Sequence, residues 1–157
     1  MSDNGAIKIC LAASAGGHLS QLVSLEAAWR RHAYFFVTTS DIVSKELKGR
    51  FNARVYVVTE ANREHPLKVL RLARQCMRIL WDERPDVILS TGAAPGAILS
   101  LLGKLAGAKV IWLDSIANAE RISLSGRIVR RFADLFLVQW AELARPDRAI
   151  EYHGEVI

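Results

Sequence analysis

Cysteine is scarce in this sequence. Cys10 and Cys76 stand far apart, and neither belongs to a C-x-x-C spacing, which excludes the common zinc-ligand patterns. Both read as small buried hydrophobes of a reducing compartment, and no metal is expected. Long apolar runs are also missing. No stretch reaches the 18 or so apolar residues that a membrane-spanning helix needs. The run at residues 7–13 is too short for a secretory signal and ends in a glycine turn. These absences predict a cytoplasmic chain that does not cross a bilayer. The G-x-G-x-x-G fingerprint is absent too, because Ala15 and His18 stand where glycines belong. Asp41, after Thr38-Thr39-Ser40, reads as a helix cap better than as a ribose ligand. No nicotinamide and no other cofactor is expected.

What is present is an ordinary globular composition. The 157 residues are 51% hydrophobic and 24% charged, enough apolar mass for one domain with a real core. The formal net charge is +5 and the sequence pI about 9.6. Such a balance suits nucleic acid, an anionic membrane surface or phosphate-bearing ligands. Strand and helix patterns alternate along the chain. Apolar runs rich in branched residues at 7–12, 33–38, 55–59, 86–90, 110–113 and 135–138 predict buried strands. Helical spacing predicts helices over 19–31, 42–48, 67–83, 97–105 and 123–133. The alternation implies a parallel sheet covered on both faces, a Rossmann-like α/β fold with ligands at the carboxyl ends of the strands.

Two glycine loops lie at such ends. Ala13-Ser14-Ala15-Gly16-Gly17-His18 joins the first strand to the first helix. Adjacent glycines admit a close ligand, and the helix start offers free N–H groups and a positive dipole end. Ser14, Gly16 and Gly17 are therefore candidates for holding a phosphate or diphosphate, against the alternative of a tight turn with no ligand. His18 could bond that phosphate, act as general base on a hydroxyl, or simply pack at a helix start. Ser90-Thr91-Gly92-Ala93-Ala94-Pro95-Gly96 repeats the layout after the fourth strand, making Thr91, Gly92 and Gly96 candidates. The alternative is that Gly92 and Gly96 only permit close helix–sheet packing.

The helix at 67–83 sets Lys68, Arg71, Arg74 and Arg78 on one face, and no acidic residue falls between His65 and Trp81. Such a face can lie on anionic lipid or be a solvated cover. Aromatic residues do not interleave with the bases, which argues against nucleic acid.

The stretch Ala13 to Leu22 resembles the opening loop of the PssD family of bacterial exopolysaccharide glycosyltransferase subunits. It also resembles the eukaryotic asparagine-linked glycosylation subunit that recruits its catalytic partner, and more distantly the acceptor domain of MurG. Ser90 to Gly96, Asp114-Ser115 with Glu120 to Gly126, Ala133 to Trp140, and Tyr152-His153-Gly154 match later family segments in order. Where the family often has Glu before the serine, this chain has Asp114.

The resemblance implies one acceptor-side half, the N-terminal half, of a GT-B glycosyltransferase split over two chains, with residues 1–157 as a single domain. The chain would hold a diphosphate-lipid-linked glycan and recruit the enzyme to the membrane in polysaccharide biosynthesis. A PssE-like donor-binding catalytic subunit would bind most of the UDP-sugar. The activity would be a hexosyl- or glucuronosyltransferase, silent without that partner. His18 would be the catalytic residue, with Glu120 and Arg121 joining the glycine loops at the diphosphate. The eukaryotic member has an N-terminal anchor that is not found here, so the bacterial branch is expected. Attachment would be peripheral, on the inner face of the cell membrane. Residues 147–157 would be a partner-binding tail, with Tyr152, Val156 and Ile157 as apolar anchors. Two other functions stay open: a non-catalytic scaffold for a complete catalytic partner, and a stand-alone nucleotide-binding protein.

Overall fold

The computed structural model describes residues 6–62 and 64–156. Seven strands form one sheet: β1 (Lys8–Ala12), β2 (Ala33–Thr38), β3 (Arg54–Val57), β4 (Val87–Ser90), β5 (Lys109–Leu113), β6 (Leu135–Val138) and β7 (Ile150–Tyr152). Their order is β3-β2-β1-β4-β5-β6-β7, and every pairing is parallel. Between the strands run α1 (Gly17–Ser24), α2 (Glu26–Trp29), α3 (Asp41–Phe51), α4 (Pro66–Glu83), α5 (Ala93–Leu105) and α6 (Leu124–Val129).

The alternation of side chains along the strands divides the core. Ile9, Leu11 and Ala13 meet Leu19, Leu22, Trp29 and Leu47 under α1, α2 and α3. Cys10 and Ala12 turn the other way, toward Leu72, Cys76, Ile79 and Leu99 under α4 and α5. Val110, Trp112 and Phe136 continue that second face under Val129 of α6. Both cysteines are buried and free, as the sequence predicts. Among the described residues no helix is long and apolar enough to cross a membrane.

The strand order reverses at β1. From there the chain runs outward to β2 and β3, then returns through α4 to β4 on the other side of β1. The loops after β1 and β4 therefore leave adjacent strand ends for opposite faces and open a crevice between them.

Several boundaries differ from expectation. The helix predicted over 19–31 is two helices, broken at Leu25. Its apolar spacing runs through the break because Trp29 still turns inward, fully buried, its indole N–H donating to the Leu22 carbonyl at 3.1 Å. α5 starts at Ala93 and not at 97, directly after Gly92. The helix predicted over 123–133 ends at Val129. Ser40, and not Asp41, caps α3, its side chain accepting from the Val43 N–H.

The tail after Pro146 is partly built into the sheet. β7 pairs with β6 through Phe136↔Ile150 and Val138↔Tyr152, and Ile150 is 1% exposed. Residues 150–152 thus belong to the domain as well as to the stretch expected to meet a partner.

Candidate functional site

The two glycine loops meet at the reversal point. Gly16 takes φ +101° and caps α1 with no side chain on its N–H groups. Gly16 and Gly17 are exposed, Ser14 is buried behind them, and the Ala15 N–H donates to Thr39 Oγ1 at 3.2 Å. His18, half-buried on the first turn of α1, reaches across to the loop after β4. Its Nδ1 lies 2.9 Å from the Thr91 carbonyl oxygen. A carbonyl only accepts, so Nδ1 carries the proton, and in the neutral ring Nε2 is left with a lone pair. The Thr91 hydroxyl returns a bond to the His18 carbonyl. The two loops are latched together by this reciprocal pair.

Gly92 sits under the histidine ring. A Cβ built there would lie 2.6 Å from both Cε1 and Nδ1 of His18, and Gly92 adopts φ +138°. Ala93 follows at φ +64°, a left-handed conformation that is costly for a residue with a Cβ and that clusters at functional sites. Gly96 has a different job. Its Cβ would fall 1.9 Å from Ser90 Oγ, so this glycine lets α5 lie close on the sheet. Gly92 is thus required beside the His18 ring, and Gly96 beside Ser90.

A third loop, after β5, is bonded to α1 through Gln21. Asp114 is 2% exposed. Its carboxylate accepts from the Trp112 indole at 3.1 Å, the Ser123 N–H at 2.8 Å and the Ser123 hydroxyl at 2.6 Å. The side chain thereby ties the far end of the loop to β5. Gly126 is needed beside it, because a Cβ there would come within 2.6 Å of Asp114 Oδ1. Glu120 and Arg121 stand exposed on the loop between these anchors. Gln21, Ser123 and Gln139, which hold the loop, fall within the family-like segments but carry no site role in the sequence. Their signal is weak because single polar residues in apolar runs do not reveal their distant partners.

Away from the crevice, Lys68, Arg71, Arg74 and Arg78 are all exposed on α4, and Arg78 approaches Asp82 at 3.9 Å. Large apolar side chains share that outer face: Leu67 is 81% exposed and Trp81 75%. Leu101 and Leu105 on α5, and Leu124 and Ile128 on α6, extend the exposed apolar set across the same helix layer. A groove of about 690 Å³ opens between the carboxyl ends of α4 and α5, lined by Met77, Trp81, Arg84 and Leu105 among others. It lies at the edge of the sheet opposite the crevice, so it is not part of the site around His18.

In the tail, Tyr152 is exposed and the Val156 N–H donates to Gln139. Ile157, the third expected anchor, lies outside the described residues. Among the described residues no cluster of three or more His, Cys, Asp or Glu could hold a metal ion.

A family model described as oligosaccharide biosynthesis protein Alg14 like matches residues 9–156. The UDP-N-acetylglucosamine transferase subunit alg14 of Schizosaccharomyces pombe is 42% identical over 85 residues, 50% of this chain and 40% of that protein. The subunit ALG14 of Yarrowia lipolytica is 30% identical over 129 residues, 76% of this chain and 57% of that protein. The chain thus spans about half the length of these curated relatives. The crystal structure of Acinetobacter baumannii MurG superposes with a TM-score of 0.76 at 14% identity, covering 96% of this chain and 45% of that one.

Proposed function

Because this chain belongs to the family of Alg14-like oligosaccharide biosynthesis proteins, we propose that it is the acceptor-side subunit of a two-chain glycosyltransferase. The observation that carries this reading is the His18 ring, oriented by the Thr91 carbonyl so that Nε2 is free to take a proton at the meeting point of two glycine loops. The donor is a UDP-sugar, held mainly by a PssE-like catalytic partner, and the names of the yeast relatives support a UDP-linked sugar. The acceptor is a diphosphate-lipid-linked glycan. Gly16, Gly17 and the start of α1 face its diphosphate, with Ser14, Thr91 and Gly92 shaping the floor and Glu120 and Arg121 the rim.

In the transfer, an acceptor hydroxyl oxygen forms a bond to the anomeric carbon as the bond from that carbon to the UDP oxygen breaks. UDP departs with the electron pair, and the hydroxyl proton passes to His18 Nε2. A positioned base of this kind contributes about 10²–10⁴-fold. Charge on the departing UDP is neutralised mostly by the partner.

The scaffold reading draws on one feature of the same site. The reciprocal His18–Thr91 bonds would also serve a purely structural latch. Assaying the co-expressed pair separates the two. His18→Ala should lower transfer at least a hundredfold at normal complex yield, and the chain alone should turn over no UDP-sugar. Full activity of the substituted complex would favour the scaffold.

We place the complex peripherally on the cytoplasmic face of the membrane. The exposed mixture of Arg71, Arg74 and Arg78 with Leu67, Leu70 and Trp81 supports lipid contact better than a basic face alone would.

A further inference from the structure

The end of the described chain is bonded back into the loops of the crevice. After β7 the backbone returns over the carboxyl edge, and the Val156 N–H donates to Gln139 Oε1 at 2.9 Å. That donor fixes the Gln139 amide. Its Nε2 then donates to two acceptors, Gln21 Oε1 at 2.6 Å and the Asp114 carbonyl at 3.0 Å. Gln21 is fixed in turn, because its Oε1 also accepts the Ile116 N–H at 3.2 Å and its Nε2 donates to the Ser115 hydroxyl at 3.3 Å. Turning Gln139 over would set donor against donor and acceptor against acceptor, and turning Gln21 over would set its amide donor against those of Ile116 and Gln139, so the series has one direction. Gln21 and Gln139 are 8% and 1% exposed, where water cannot replace a broken bond cheaply.

Both ends of this series are informative. Gln21 lies on α1, three residues after His18, and its other partners begin the loop that carries Glu120 and Arg121. We propose that Gln21 and Gln139 are positioning residues, through which the seating of the tail at Val156 sets the 114–123 loop and the first turn of α1 against each other. Its catalytic consequence rests on the acceptor-side reading: a partner that grips the tail would act on the acceptor loops through these two amides.

Val156→Pro tests this by removing the N–H that starts the series, and Val156→Ala keeps it. In amide-resolved NMR of the chain alone, Val156→Pro should shift the side-chain amide signals of Gln139 and Gln21 and the backbone signals of Ile116 and Ala117. Signals of β1 and β4 should stay in place, and Val156→Ala should leave the glutamine signals where they were. Glutamine and Ile116 signals that ignore Val156→Pro would overturn the proposal. In the active complex, Gln21→Leu should raise the acceptor KM several-fold with a smaller change in kcat, because it removes both the donor to Ser115 and the acceptor for Gln139 and Ile116. Transmitted shifts with unchanged KM would show a purely structural network and overturn the positioning role. A wild-type complex without transfer would count against the function proposed above, while the NMR result would still decide whether the tail sets the loop.

Discussion

Gly92 is the residue on which the two loops bear most directly. With a Cβ 2.6 Å from the His18 ring and a φ of +138°, Gly92→Ala would be strained by contact and by backbone at once. It should push the imidazole off the Thr91 carbonyl, cost on the order of 1–3 kcal/mol in urea unfolding, and lower transfer by the complex more than tenfold. Gly16→Ala is the comparison, since a Cβ there meets nothing within 4 Å and only the φ of +101° opposes it. Equal stability losses in both variants would refute the crowding around His18. The sequence displays Gly16, Gly17, Gly92 and Gly96 as equivalent loop glycines, whereas Gly16 and Gly92 precede their helices and Gly96 lies inside α5. It does not separate Gly92 from Gly96, because whether a small residue faces a ring or a neighbouring strand depends on where α5 lies. Asp114 illustrates the same limit. It stands at a strand end in sequence, but its three bonds come from Trp112 and from Ser123, nine residues on, which only the closed loop brings together.

Among the elements, α4 is pinned at one end and open along its length. Glu83, its last residue, is buried against Lys8 of β1 and against Arg54 and Tyr56 of β3. Burial works against its charge, but the bonds from Lys8, Tyr56 and Arg54 outweigh that and hold its pKa down to about 2 from an ordinary 4.5. A carboxylate with a depressed folded-state pKa stabilises above its unfolded value and loses that contribution as pH falls toward the folded one. Stability should therefore drop by on the order of 3 kcal/mol between about pH 5 and pH 2 on this account. Glu83→Gln should be less stable near neutrality yet flatter across that acid range, read as urea midpoints. A variant that keeps the wild-type acid slope would remove Glu83 from the explanation. Along the rest of α4, reversing Arg71, Arg74 and Arg78 to Glu should weaken sedimentation with anionic vesicles by about 1 kcal/mol per site, and more at low salt. Binding indifferent to both charge and salt would reduce the face to a solvated cover. The basic stripe was legible from its spacing. The exposure of Leu67 and Trp81 was not, because an apolar residue in an amphipathic pattern reads as core until its neighbours are placed.

For the whole molecule, the tail divides into a strand that belongs to the sheet and an end that bonds back to Gln139. Ile150 fills the core beneath α6 beside Phe136 and Val138. Deleting residues 149–157 should therefore open the core and cost about 2–5 kcal/mol, as loss of a buried Ile alone can. Deleting 155–157 should leave the domain cooperative in thermal unfolding while reducing co-purification with the donor subunit. Full recovery of partner by the short deletion would move the interface elsewhere. The sequence allows a short edge segment over 149–152 after Pro146, and β7 forms there, at the edge of the sheet beside β6. The alternation of the six longer strands with helices gave the parallel sheet outright. The strand order carries a further consequence, for how the chain is made. β1 is synthesised first but lies in the middle of the sheet, and its second neighbour is β4, with Ile9 opposite Val87. At elongation speeds of roughly 5–20 residues per second, that neighbour emerges on the order of 4–16 s later. Through that interval the nascent β1–β3 half-sheet presents its apolar Ile9–Ala12 edge unpaired, so the ribosome-bound protein must be shielded, by a chaperone or by its own α4, before it can finish.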